Sequence, residues 1–330
     1  MNLRLAIYEL AAQHQLDAKA TSELQQIAGL RSEPARLVYW LPRGLAIFAA
    51  ALCGLGIIFW IAANWGTLGR FGRFALLQLF FLSCCAGAWW KPSARIALSL
   101  LALLSIGALF AYFGQTYQTG ADPWQLFAVW GVLALPLCLT IRSDVLWTPW
   151  VLVCITGISL WIHAHTSHSW RVEIQDSGIF AIGWCAAFVL VLTVSPLVQR
   201  LSGAGPWALR TAVTLMTIMI TSTALGGLFQ HEVAGLYWWG MIVLVVAAAA
   251  LASKHVFEIY GLSAVGLGLN VLLVVGLGRV LFHNAHGDQW IGSMLLLGLV
   301  AAGLLATTVS VLLRLSRSQN GSQNSQGLSA

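Results

Sequence analysis

Ten apolar stretches divide residues 44–313 of this 330-residue chain, and each is close to the ~20 residues a helix needs to cross the ~30 Å hydrocarbon core of a bilayer. They run at 44–62, 74–90, 95–117, 124–141, 145–163, 178–197, 207–229, 236–252, 257–282 and 290–313. The first, GLAIFAAALCGLGIIFWIA, carries no charge at all. Backbone amides in hydrocarbon have no water to bond, so such stretches must be helices or a closed barrel, and the lack of period-two alternation selects helices. The fold class is therefore all-α, a polytopic transmembrane helical bundle of about ten spans. Two spans fit less well: Thr148-Pro149 interrupts the fifth, and the eighth is short for a full crossing. With 8% charged residues, against roughly 25% in soluble proteins, a water-soluble domain is excluded.

Basic residues give the bundle a direction, because cytoplasmic loops near span ends retain Lys and Arg. If the spans alternate, thirteen of the seventeen basic residues lie on the side of the N-terminus, and four, Arg70, Arg73, Arg171 and Arg279, lie opposite. Both termini are thus expected in the cytoplasm. The net charge of +6 follows from this juxtamembrane bias and carries no nucleic-acid signal. All six cysteines fall within the spans, which argues against disulfides and against a cysteine metal site. Residues 3–30 are too interrupted by charge to form the apolar region of a signal peptide.

Residues 1–40 form a polar prelude. Leu3, Ile7 and Leu10 repeat at helical spacing, and Leu24, Ile27 and Leu30 do so again after Leu16-Asp17, which predicts a short cytoplasmic helix pair. The bundle proper is expected over 44–315. The tail over 316–330, SRSQNGSQNSQGLSA, has the composition of a disordered segment. Most of the sixteen tryptophans sit at span ends and read as an interfacial belt; Trp130 and Trp184 lie deeper and either pack or line a cavity.

The densest polar cluster near the bilayer is Gly114-Gln115-Thr116-Tyr117-Gln118-Thr119-Gly120-Ala121-Asp122-Pro123-Trp124. If the third span continues helically, Gln115, Gln118 and Asp122 share one face near the outer surface, where with Tyr117 and Trp124 they could bind a cation, a polyol or a lipid headgroup. The competing reading is a polar turn in which Asp122 caps the next helix and Pro123 starts it.

The run Gly114-Gln115-x-Tyr117-x-x-Gly120-x-Asp122, followed by Leu126-Phe127-x-x-Trp130 and Pro136, resembles a signature of the predicted membrane proteins catalogued as domain of unknown function 2157. Asn64-Trp65 after the first span resembles the same family, and the likeness covers about residues 1–150. Gln15-Leu16-Asp17 stands where that family's Gly-Leu-Ile turn is expected. The resemblance implies a multi-pass protein of the bacterial cytoplasmic (inner) membrane with no assigned activity.

Six of the eight histidines fall in the expected outer loops, His231 beside Glu232 and His283 with His286 beside Asp288 among them. Such groups can ligate zinc or sense pH, but solvated interfacial side chains are the preferred reading, and no metal or other cofactor is assigned. His231-Glu232-Val233-Ala234-Gly235 begins like a zinc-protease helix and lacks its second histidine. No recognised catalytic motif is present, so the chain reads more as a non-enzyme than as an enzyme. Three intramembrane or boundary polar residues remain: Asn64, Glu258, expected to pair locally with Lys254, and Asn270, about 18 Å deeper than Glu258 and read as interhelical glue.

Three function classes stay open. The first is transporter-like or sensor-like binding of a small solute, ion or lipid headgroup at the outer polar cluster. The second is an envelope assembly or scaffold subunit that meets a protein partner through its N-terminal helices, and the third is a lipid-modifying enzyme. Membrane lipids are partners in all three, and oligomeric state is left open. A cavity that reaches Gln115 would favour the first; a solid core with an exposed apolar groove on residues 3–30 would favour the second.

Overall fold

The computed structural model describes residues 3–28, 35–63, 66, 69–117, 120, 122–166, 172–229, 234–253, 258–283 and 289–327. Every regular element among them is helical: α1 (Leu3–Gln13), α2 (Ala18–Ile27), α3 (Ala35–Ala63), α4 (Arg70–Trp90), α5 (Arg95–Tyr117), α6 (Pro123–Ile141), α7 (Asp144–His165), α8 (Ser177–Thr193), α9 (Gln199–Ser202), α10 (Pro206–Leu228), α11 (Ala234–Ala252), α12 (Ile259–His283) and α13 (Gln289–Gly327), with 3-10 turns at Pro92–Ala94 and Ile174–Asp176. The chain divides into two compact units, Met1–Phe59 and Trp60–Ala330.

In the first unit the expected helix pair is present. Asp17 caps α2, its Oδ1 accepting from the Ala20 amide at 2.7 Å. Gln15, in the turn between α1 and α2, takes φ 49, the left-handed conformation a glycine adopts freely. The apolar part of α3 runs over Gly44–Ile57.

In the second unit nine apolar helices stand where spans two to ten are expected. Eight helices are long and apolar enough to cross a membrane, and α8, at 17 residues, is shorter. The short span is therefore the sixth and not the eighth, since α11 reaches 19 residues. The fifth span is not interrupted. Pro149 lies inside α7, in its second turn, and the helix runs on through it without the one backbone bond its missing N–H would make. At the C-terminal end α13 continues to Gly327, beyond the 313 limit of the tenth span and through most of the tail expected to be disordered. A helix already nucleated in the membrane propagates without a new nucleation cost, which composition alone does not register.

Packing centres on α7 and α10, which lie against each other and against α8, with α6 beside α7 and α11 and α12 beside α10. Their core includes Leu146, Trp147, Val151, Ala208, Val213, Ile220 and Leu244. Small residues set close approaches: Gly268 of α12 faces Thr217 of α10, and the indole of Trp130 covers Gly107 of α5 while its Nε1 donates to the Leu103 carbonyl at 2.9 Å. Trp130 is thus a packing residue. α13 packs on α12 and has no buried residue in its spanning window; Gly298 faces open space. The exposed apolar faces of these spans contact lipid.

Two polar devices hold the end of the bundle that the charge bias assigns inward. Asp144, at the start of α7, accepts from the amides of Gly205 (3.1 Å), Trp207 (2.8 Å) and Ala208 (2.9 Å), and so caps the N-terminus of α10 from another helix. Pro206 needs no partner there because it has no N–H. Nearby, the Trp147 indole donates to the Ser202 carbonyl at 2.8 Å. Glu258 accepts from Arg210 at 3.0 Å and from the Gly261 amide, joining α10 to the start of α12. Its partner is therefore a residue of another helix; Lys254, the expected one, lies outside the described residues. Trp207 and Tyr260 each lie within 5.5 Å of the Arg210 guanidinium carbon, which sits over both rings.

A candidate anion site at the start of α4

At the opposite end, α4 begins beside the last turns of α5, and aromatic side chains fix the two together. Phe74 meets Tyr112 edge-on with centroids 4.6 Å apart and lies 6.0 Å from Tyr117, which in turn lies 4.9 Å from Phe113. Tyr112 is buried and its hydroxyl donates to the Arg70 carbonyl at 3.1 Å. This contact holds the first residue of α4 against α5.

The arrangement leaves a pocket of about 320 Å³ lined by Arg70 and Arg73 of α4 and by Tyr112, Gln115 and Thr116 of α5. No carboxylate lines it among the described residues. Both arginines sit at the start of α4, where the helix macrodipole presents its positive end; the Arg73 amide already donates to the Gly69 carbonyl at 3.1 Å. Cations there oppose the dipole. An anion in the pocket would meet two guanidinium groups, the Gln115 amide, the Thr116 hydroxyl and that positive end together.

The other expected site residues are placed differently. Tyr117 is 46% exposed and belongs to the aromatic cluster rather than to the pocket wall. α5 ends at Tyr117, and Gly120 turns the chain with φ 64, so the continuous helical face carrying Gln115, Gln118 and Asp122 does not form. Asp122 occupies the N-cap position of α6 with Pro123 following, which matches the turn reading, although its side chain makes no cap hydrogen bond. Trp124 is half-buried on the far side of α6, its Nε1 buried without a hydrogen-bond partner and its ring 6.1 Å from that of His165. It lines an apolar cleft of about 400 Å³ with Phe127, Trp150 and Trp161.

Asn270 exchanges hydrogen bonds with Thr308 at 3.1 and 3.2 Å, tying α12 to α13 as interhelical glue. Asn64, Gln118, His231, Glu232, His286 and Asp288 lie outside the described residues, and of His283 only the backbone, at the end of α12, is described. Among the described residues no three His, Cys, Asp or Glu side chains gather closely enough to share a metal ion.

Of the expected site residues only Gln115 lines this pocket; the other lining residues were not among them. Arg70, Arg73, Tyr112 and Thr116 were all readable, and the signal was the arginine pair itself, placed three residues apart on the side that positive charge otherwise avoids.

Fold and site together define a polytopic α-helical membrane protein with a basic pocket at one end. Residues 8–147 match the family model described as Predicted membrane protein (DUF2157), so the likeness read from the residues up to about 150 holds over that stretch. The matched part contains α4, α5 and the arginine pocket. No curated protein and no solved structure matches the chain.

Proposed function

We propose that this protein recognises an anionic group at the outer face of the bacterial cytoplasmic membrane, as a sensor or transporter-like protein whose termini both lie in the cytoplasm. The observation that carries this reading is the pocket reaching Gln115, with Arg70 and Arg73 on its wall and no lining carboxylate among the described residues. This narrows the ligand from cation, polyol or headgroup to an anion, because two guanidinium groups repel a cation and match phosphate or carboxylate oxygens bidentately. At the bilayer boundary the shared chemistry is phosphate, carried by a lipid headgroup or free in solution.

Native mass spectrometry of the full chain in mild detergent tests this with three probes: phosphatidylglycerol, phosphatidylcholine and inorganic phosphate. Wild type is expected to retain phosphatidylglycerol in preference to phosphatidylcholine, and the double substitution Arg70→Ala with Arg73→Ala to weaken that retention at least about tenfold, since charge-assisted hydrogen bonds contribute ~1.5–3 kcal/mol each. Displacement of the lipid by inorganic phosphate would identify a free anion as the ligand. Equal retention of both lipids by both proteins would refute the reading.

One observation keeps the scaffold reading in view. Tyr8 and Leu10 on α1 are 60% and 45% exposed, a small apolar surface on the N-terminal pair that suits a protein partner.

A further inference from the structure

The second large opening in the bundle shares no residue with the arginine pocket. It is a lateral groove between α8 and α11, floored by Met216 of α10, with Ala181 and Trp184 on one wall and Leu236 and Val243 on the other. Its volume is about 910 Å³. The groove exists because its walls are drawn to different neighbours. Ile162 of α7 crowds Gly183, which seats α8 against α7, and Ala224 crowds Gly240, which seats α11 against α10. Neither glycine has room for a Cβ, so neither wall can relax toward the other without losing its own contact. The Trp184 indole is fixed in turn, its Nε1 donating to the Thr223 hydroxyl at 3.1 Å, which in turn donates to the Met219 carbonyl at 2.9 Å.

A groove of this chemistry at hydrocarbon depth does not stay empty. At roughly 30 Å³ per water-sized group, about thirty such groups fill 910 Å³, which is the size of the two acyl chains of one phospholipid. A spanning helix ~30 Å long and ~10 Å across occupies roughly 2,400 Å³ and would leave most of its surface outside. The opening is also continuous with the lipid-facing surface of the spans, since Val189 and Trp239 on its rim are 58% and 63% exposed. At one end the lining changes to Ser177, where α8 begins, and Gly235, at the start of α11. A hydroxyl at that level can donate to a glycerol-ester carbonyl.

We infer that this groove holds the acyl chains of one membrane phospholipid as a fixed site, with the ester region beside Ser177. The lipid seated there exchanges more slowly than lipid on the bundle's convex faces, and it completes the packing between α8 and α11 that the protein leaves open.

The test uses the full chain in phosphatidylcholine vesicles containing a phosphatidylcholine with a photoactivatable diazirine in one acyl chain, read by peptide mass spectrometry after illumination. Labelling at Cys185 and Val243 is expected to exceed that on the exposed face of α13, at Leu295 and Leu299, by about tenfold. Ala181→Trp, which places an indole in the groove from an exposed position, should lower groove labelling to the α13 level and leave α13 labelling unchanged. If that variant is not monodisperse, Val189→Trp at the rim serves the same purpose. Equal labelling of groove and α13 in wild type would overturn the inference. So would groove labelling that persists in the filled variants, or a groove free of label, as expected if a second copy or another helix occupies it.

Discussion

The two ends of the bundle treat charge in opposite ways. At the expected inner end, Asp144 is engaged by three backbone amides of another helix, and Glu258 is engaged by Arg210 and the Gly261 amide. At the expected outer end, Arg70 and Arg73 face a pocket whose described lining holds amide, hydroxyl and phenol groups and no acid. Charged side chains therefore stand in different settings at the two ends. Inner charges join helices whose sequence separation is 48 to 64 residues, whereas the outer pair stands where charge bias and helix dipole both disfavour it. A pair of charges at an unfavourable position, on a pocket wall with no acid in its described lining, points to a ligand.

This contrast can be broken most decisively at Asp144. Asp144→Ala leaves three amides at the start of α10 without their acceptor, and the expected loss is about 2–3 kcal/mol, seen as a lower apparent melting temperature of the purified protein in detergent. An unchanged melt would mean that the cross-helix cap carries no stability. Glu258→Gln should have a smaller effect, about 1–2 kcal/mol, because the Arg210 side chain is partly exposed and keeps its contacts with Trp207 and Tyr260. High salt should narrow the difference between Glu258→Gln and wild type, and a salt-independent difference would assign the effect to the Gly261 contact instead.

Much of the fold was legible because hydrocarbon imposes a length and a composition on every helix that crosses it. The spans sit where the sequence put them, and their errors fall at ends: α13 runs on and α8 stops short, whereas α5 ends at Tyr117, where the third span was expected to end. The end of α5 matters most. A helix continued to Asp122 would have placed Gln115 and Asp122 on one face, and the left-handed turn at Gly120 removed that register. What joins Asp144 to Gly205 or Arg70 to Gln115 is helix packing across long separations, to which hydropathy is blind. The arginine pair was counted as an exception to the charge rule, and its meaning became readable only when Gln115 and Tyr112 were found beside it.

The most direct measurement of the account is the apparent melting temperature of wild type and of the Arg70→Ala, Arg73→Ala double variant, each with and without phosphatidylglycerol. Each protein is compared with its own melt without the lipid, so any packing that the arginine side chains contribute cancels. With the lipid at about a hundred times its dissociation constant, linkage predicts that wild type gains roughly 2.7 kcal/mol and the variant almost nothing. A variant that keeps the full lipid-dependent shift would contradict the claim that the outer charges serve a ligand while the inner charges serve the fold.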